Sequence, residues 1–273
     1  MASPPPITGI DTHAHIFDPS APMVPGRRYA PRYAATVSAW LAHMDRSGLS
    51  HGVLVQPSFY GTDNRLVAEA LAAHPGRLRG IAVVDPAMPE SALAEMAAQG
   101  FVGARLNLVG KTLEDYSSRA WQRFFHRLAE IGWQLEIQRA FEDFAQILPA
   151  MTRAGGAVMI DHFGLPQGGI DPAIPTHAAV LEALRAAPKA WVKLSAPYRS
   201  GQDAAQAAAS LTHLREACGG VDRFVWGSDW PHTQHEKDAS YSQQVARLAQ
   251  LLPDAADRRR VLVENPAALF RFT

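Results

Sequence analysis

Residues 133–161 read WQLEIQRAFEDFAQILPAMTRAGGAVMID, and the fold follows from how this stretch is parsed. A short β-rich run, Trp133–Gln138, leads into Phe144–Arg153, where Phe144, Ile147, Leu148 and Met151 recur at helical spacing. Gly155-Gly156 then turns the chain into a second apolar run, Ala157–Asp161. Strand periodicity, helical periodicity and a continuous apolar run in that order predict a strand, a crossover helix and a parallel strand. The same rhythm continues in both directions. Upstream, Ile7–Asp11 is followed by a loop holding Pro19, Pro22, Pro25 and Pro31 and by helical Val37–Ser47. Gly52–Gln56 pairs with Asn64–His74, Leu78–Val84 with Glu90–Gln99, and Val102–Asn107 with Ala120–Ile131. Downstream, Ala157–Asp161 pairs with Ala178–Ala186, Trp191–Leu194 with Ala204–Ala217, and Phe224–Gly227 with Tyr241–Leu252. Eight strand–helix pairs in about 250 residues predict an α/β protein with a single (β/α)8 TIM-type barrel, because doubly wound sheets stop nearer five or six strands. Pro253–Thr273 reads as a C-terminal helical cap. No linker or shift of composition divides the chain, so residues 1–273 are expected to form one domain.

The 273 residues balance 26 Lys+Arg against 26 Asp+Glu, with 47% hydrophobic and 19% charged side chains. Such a chain can bury a large core, which excludes global disorder. With no net charge and no basic run, it lacks the electrostatic footprint of a nucleic-acid binder or of a protein on an anionic membrane. The lone cysteine, Cys218, cannot form an intrachain disulfide and favours a reducing compartment. Met1–Pro6 has neither a basic nor an apolar region and reads as an extended arm rather than a signal peptide. No stretch approaches the roughly 18 apolar residues of a membrane span. A soluble, cytoplasmic protein is the expectation.

In a barrel of this kind chemistry sits at the C-terminal ends of the strands. Those ends carry Asp11-Thr12-His13-Ala14-His15, Gln56-Pro57-Ser58, Arg105 and Asn107, Gln138, Asp161-His162, Ser195 with Tyr198 and Arg199, and Ser228-Asp229-Trp230-Pro231-His232. His13 and His15 share one strand face. By itself that pair is as readily two hydrogen-bonded histidines of the core. His162 ends the sixth apolar run, and Asp229 ends the eighth strand, which lies beside the first when a barrel closes. Three imidazoles and a carboxylate therefore converge, as a divalent metal site or as a carbonyl-polarising cluster with a general base. Arg105, Lys111 and Arg199 on the same side favour an anionic substrate, because a guanidinium can hold a carboxylate through two hydrogen bonds.

Other chemistries lack their marks. There is no G-x-G-x-x-G or Walker loop for a nucleotide phosphate and no G-x-S-x-G elbow. Ser58 and Ser195 show no obvious base, and Cys218 lies in a helical segment, as packing. His43, His51, His74, His126, His177 and His213 fall on helices or at strand starts, away from the expected site. Phe59 and Trp230 read as exposed apolar residues of the pocket mouth or of a contact between copies, which leaves a homo-oligomer open.

Asp11–His15, Ile160-Asp161-His162-Phe163-Gly164, Val225–His232 and Asn265-Pro266-Ala267-Ala268-Leu269-Phe270 together resemble the amidohydrolase superfamily, in its amidohydrolase-related, second family. Tyr29–Arg32, Val55–Ser58, Gly61–Asn64, Arg79–Pro86 and Arg105–Asn107 are similar to that family's lactonase branch, which opens 2-pyrone-4,6-dicarboxylate. The resemblance implies a hydrolase acting on the cyclic ester of a small anionic lactone. It implies Asp229 as the base that activates water and His13, His15 and His162 as the groups that polarise the carbonyl. Tyr29, Ser58, Arg105, Lys111, Gln138 and Arg199 match the substrate-binding positions. The chain departs from the pattern at Lys111 and Leu165, where arginines are expected, and at Gln138, where a tyrosine is expected. A sugar lactone or a muconolactone is therefore an alternative substrate. No cofactor is expected, as in the lactonases. Zn2+ or Mn2+ on His13, His15 and Asp229 is the alternative, and with it a zinc-dependent decarboxylase. A non-catalytic binding barrel is a third reading, but it has no use for a base among imidazoles.

Overall fold

A computed structural model describes residues 6–273. The arm expected at Met1–Pro6 lies outside the described residues except for Pro6. Eight parallel strands stand in sequence order: β1 Ile10–Ala14, β2 His51–Val55, β3 Leu78–Ala82, β4 Phe101–Asn107, β5 Gln134–Gln138, β6 Val158–Ile160, β7 Ala190–Leu194 and β8 Phe224–Trp226. The helices that follow them are α1 Val37–Arg46, α2 Arg65–Ala73, α3 Glu90–Ala98, α4 Arg119–Glu130, α5 Phe144–Thr152, α6 Pro175–Ala186, α7 Ala204–Cys218 and α8 Tyr241–Leu251. Among the described residues no helix is long and apolar enough to cross a membrane.

The parse of residues 133–161 is borne out: β5 pairs with β6 in parallel and α5 crosses between them. Boundaries shift where local chemistry adds a turn. α6 begins three residues before its apolar face, because Pro175 suits a first turn that needs no N–H. α7 and α8 are opened by capping boxes, Asp203 with Gln206 and Ser240 with Gln243. The C-terminal cap is α9 Ala255–Arg259, a π-type turn at Arg260–Glu264 and α10 Asn265–Phe270. Phe270 and Phe272 pack with Ile10, Val53, Val55, Ile81, Val102, Met159 and Val225, closing the barrel floor.

β1 is the largest correction, since it runs over Ile10–Ala14 rather than Ile7–Asp11 and carries an irregularity. Asp11 aligns with Gly52, but Ala14 aligns with Leu54, so three steps on β1 meet two on β2. The extra residue is a β-bulge, and it re-aims the chain. Ile10 packs in the barrel-floor cluster, His13 and His15 join the pocket chemistry, and the side chain of Asp11 is sent outward to α1 and α8. There Asp11 accepts from Trp40 Nε1 at 2.9 Å and Tyr241 OH at 3.0 Å. It also accepts from the Ser228 backbone at 2.8 Å and the Ser228 hydroxyl at 2.6 Å, tying β1 to the chain beyond β8. The seam is completed by Asp229 N to the His13 carbonyl and His15 N to the Trp230 carbonyl, both 2.8 Å.

Candidate active site

Inward-facing residues change character along the barrel. Above the apolar floor lies a wholly buried charged layer of His13 from β1, Glu136 from β5, Asp161 after β6 and Lys193 from β7. Lys193 Nζ donates to Glu136 Oε2 at 2.6 Å and to His13 Nδ1 at 2.9 Å, and it lies 3.1 Å from Asp161 Oδ1. Burial alone would raise the Asp161 carboxyl, but Lys193 and His13 hold it well below the ordinary 3.8. Burial and Lys193 oppose a charge on His13, and the carboxylates of Asp161 and Glu136 outweigh them, so its pKa is raised.

The next layer up is the mouth. Asp229 and His162 both have left-handed backbones, at φ of 60° and 54°. Non-glycine residues in that region store strain of about 1–3 kcal/mol each, and they persist where the surroundings fix them. Here the Asp229 N–H is pinned to His13. Asp229 Oδ2 accepts from Tyr198 OH at 2.5 Å and Arg199 Nε at 2.6 Å. Oδ1 is buried with no hydrogen-bond partner among the described residues and lies 3.9 Å from both His13 Nε2 and His162 Nε2. Burial would raise the Asp229 carboxyl, yet Arg199, His162 and His13 hold it far below the usual carboxylate range. It is therefore ionised at neutral pH.

The hydrogen-bond chain assigns the protons on the rings. His15 Nδ1 lies 2.7 Å from the Val55 carbonyl, which can only accept, so His15 carries its proton on Nδ1. Burial, His13 and Arg105 keep His15 neutral, and its Nε2 is then a lone pair facing His13 Nε2 at 3.2 Å. His13 must donate across that gap. His162 is also neutral, held down first by burial, and its Nδ1 meets Ser195 Oγ at 2.7 Å. The Ser195 hydroxyl has no other acceptor among the described residues, so it donates to Nδ1, which puts the His162 proton on Nε2. Ser195, expected to lack a basic partner, is thus bonded to an imidazole and spends its proton there.

Around this centre lies a pocket of about 240 Å³ lined by His15, Arg28, Tyr29, Ser58, Arg105, Asn107, Gln138, His162, Leu165, Arg199 and Asp229, among others. Arg105 donates to Gln138 Oε1 at 2.7 Å, and its buried Nε, without a hydrogen bond among the described residues, lies 3.6 Å from Asp161 Oδ2. Of the expected substrate-binding residues, Tyr29, Ser58, Arg105, Gln138 and Arg199 meet here. Lys111 is not in this lining: it is exposed and borders an adjoining groove that shares Ser58, Arg105 and Asn107 with the pocket. Phe59 and Trp230, expected to be exposed, are buried. Phe59 packs on Phe17, Tyr29 and Tyr60, and Trp230 bridges to Ala14 at the barrel seam. Cys218 is half-buried on α7 and its thiol is pushed up to about 11 by burial, in keeping with packing.

Sequence reasoning did not carry Arg28, Glu136 or Lys193 into the site, and it left Tyr198 and His232 as strand-end candidates without a role. Lys193 and Glu136 each interrupt a buried strand at an inward position, a signal that was open to reading. Tyr198 and His232 stood beside chosen residues, but their mutual hydrogen bond of 3.1 Å needed the fold.

Among the described residues two buried groups have donors close enough to hold a metal ion: His13, His15 and Asp229, or His13, Asp161 and His162. In the first group the 3.2 Å between the His13 and His15 nitrogens matches the edge of a tetrahedral site, roughly 3.3 Å for zinc–nitrogen bonds near 2.0 Å, while the 3.9 Å from His13 to Asp229 is longer and would have to shorten around an ion.

The profile of the second amidohydrolase family matches residues 10–272. The chain belongs to the amidohydrolase family. This amidohydrolase is 27% identical to the 2-pyrone-4,6-dicarboxylate hydrolase of Comamonas testosteroni over 97% of its own length and 90% of that protein's. It is 30% identical to the 4-sulfomuconolactone hydrolase of Rhizobium radiobacter over 95% and 89%. Its fold superposes with a TM-score of 0.92 on a probable 2-pyrone-4,6-dicarboxylic acid hydrolase of Acinetobacter baumannii with citric acid bound, at 36% identity over 97% of this chain and 100% of that one.

Proposed function

We propose that this amidohydrolase opens the cyclic ester of a small anionic lactone by direct attack of water. One observation carries the reading: the free oxygen of an ionised, buried Asp229 faces the Nε2 edges of His13 and His162 at the floor of a pocket rimmed by arginines. The lactone hydrolases among its relatives support it.

A substrate carboxylate is held by Arg105 and Arg199, which places the lactone carbonyl over the imidazoles. Water hydrogen-bonded to Asp229 Oδ1 adds to that carbon as its proton passes to the carboxylate. Such a low pKa makes Asp229 a weak base in the empty site. An anionic substrate that draws on Arg199 lessens this hold and strengthens the base. The oxyanion is met by His162 Nε2–H, a neutral-ring donor in the assigned tautomer, and by His13 Nε2–H as it turns from His15 to the carbonyl. Because the His15 Nε2 lone pair faces His13, His15 acts as an acceptor that orients the donor, a narrower role than polarising the carbonyl itself. The tetrahedral adduct collapses, the ring C–O bond breaks, and Asp229 returns the proton to the leaving oxygen.

A divalent cation held by His13, His15 and Asp229 would supply Lewis-acid polarisation of the carbonyl. The reading takes the reaction as metal-free, since Arg199 already neutralises Asp229 and the His13 and His15 rings satisfy each other. Turnover of 2-pyrone-4,6-dicarboxylate, muconolactones and sugar lactones before and after chelation tests it. Chelator-resistant opening of one lactone is expected, with kcat reduced about 10²- to 10⁴-fold in Asp229→Asn. Inert lactones, together with a carboxylic acid that loses CO2 only when metal is added, would replace this reading with the decarboxylase.

A further inference from the structure

The arginine at the pocket rim that sequence reasoning passed over has the least to do in the unliganded protein. Arg28 sits on the loop between β1 and α1, and its guanidinium donates to the Asn107 side-chain carbonyl at 3.2 Å, a neutral partner. Arg199 is matched by Asp229, and Arg105 has Gln138 with Asp161 at 3.6 Å. Asp229 is the one acidic residue in the lining, against three guanidiniums. Burial, then Arg105 and Arg199, hold the Arg28 pKa below its ordinary value, as expected of like charges facing one space.

The loop is also held in place. Tyr29 and Tyr33, one and five residues on, both donate to Glu236 Oε1 from across the mouth, at 3.2 and 2.7 Å. Phe17 and Ala35 pair their backbones at the loop base. Arg28 is thus presented to the pocket by a loop tied to the β8 side, with its far end on Asn107 at the end of β4.

We propose that Arg28 is a specificity-determining residue that takes a second anionic group of the substrate at the outer rim, while Arg105 and Arg199 take the first. The pocket then selects a dianionic lactone over a monoanionic one, and the cation that Lys111 does not bring to this lining is supplied from a different loop. This rests on the lactonase reading of the same site.

The test compares Arg28→Gln with the unaltered protein on 2-pyrone-4,6-dicarboxylate and 2-pyrone-6-carboxylate. Loss of a charge-assisted contact at a partly exposed rim is expected to raise KM for the diacid about tenfold more than KM for the monoacid, with kcat for the diacid little changed. Equal shifts for both substrates, or none, overturn the proposal. Calorimetric binding of pyridine-2,4-dicarboxylate against pyridine-2-carboxylate separates this proposal from the lactonase reading, because neither probe can be hydrolysed. If no lactone is opened but Arg28→Gln weakens the diacid probe selectively, the lactonase reading fails and Arg28 keeps its role. If lactones are opened and the variant binds both probes as the unaltered protein does, Arg28 loses it.

Discussion

Lys193 shows what a single residue does at the base of this site. It is wholly buried, yet it has two carboxylates and an imidazole within 3.1 Å. Its removal leaves Glu136 and Asp161 charged in a place water cannot reach. Lys193→Met is therefore expected to lose about 3–5 kcal/mol, read as a fall in the urea midpoint, and adding Glu136→Gln should restore part of it. No restoration in the double variant would mean that the charges do not oppose each other as described. The residues of the candidate site were legible in unequal measure. His13, His15, His162 and Asp229 stood out because each ends an apolar run, where only the barrel mouth can use a polar side chain. Arg28 was not legible, because it lies in a loop whose path no periodicity reports.

At the scale of the elements, the meeting of β1 and β8 sets the geometry. Gly227 follows β8 directly, and a Cβ built there would stand 2.5 Å from His13 Cβ and 2.9 Å from His13 N. Gly227→Ala is expected to force the two chains apart, costing about 1–3 kcal/mol. It should also lower kcat well beyond what the lost stability explains, since Asp229 and His13 move relative to each other. A variant with normal kcat would show that the seam tolerates the methyl group without moving the pair. The strand–helix order and most element centres were legible from periodicity. The β1 boundary was not, because its upper half carries Asp11, Thr12 and His13, which read as the end of an apolar run. They are buried by the seam and the charged layer, and a bulge in register leaves no mark in hydrophobicity.

Across the whole molecule, buried neutral histidines link stability to pH. Burial holds His15 and His162 well below 6.5, and His232 at about 4. Below pH 6.5 these rings take up protons in the unfolded chain but not in the folded one. Their contribution is thus intact above about pH 6.5 and is lost as pH falls towards the folded values, with a slope of up to about 1.4 kcal/mol per pH unit for each. Urea midpoints measured from pH 8 to pH 4.5 should rise a little down to about 6.5, because His13 with its raised pKa takes up its proton first in the folded chain, and should then fall. A level profile down to pH 4.5 would mean that the rings are open to solvent. The sequence by itself determined the (β/α)8 order, the strand-end histidines and the carboxylate, because alternation of apolar runs and helical faces is a local property and polar residues at strand ends have few other uses. Only the tertiary structure decided which rings donate, that Asp229 keeps one oxygen free, that Lys111 stays outside the pocket and that Arg28 enters it. Those depend on distances between strands and loops far apart in the chain, where a shift of one residue in register or one loop path changes the partner.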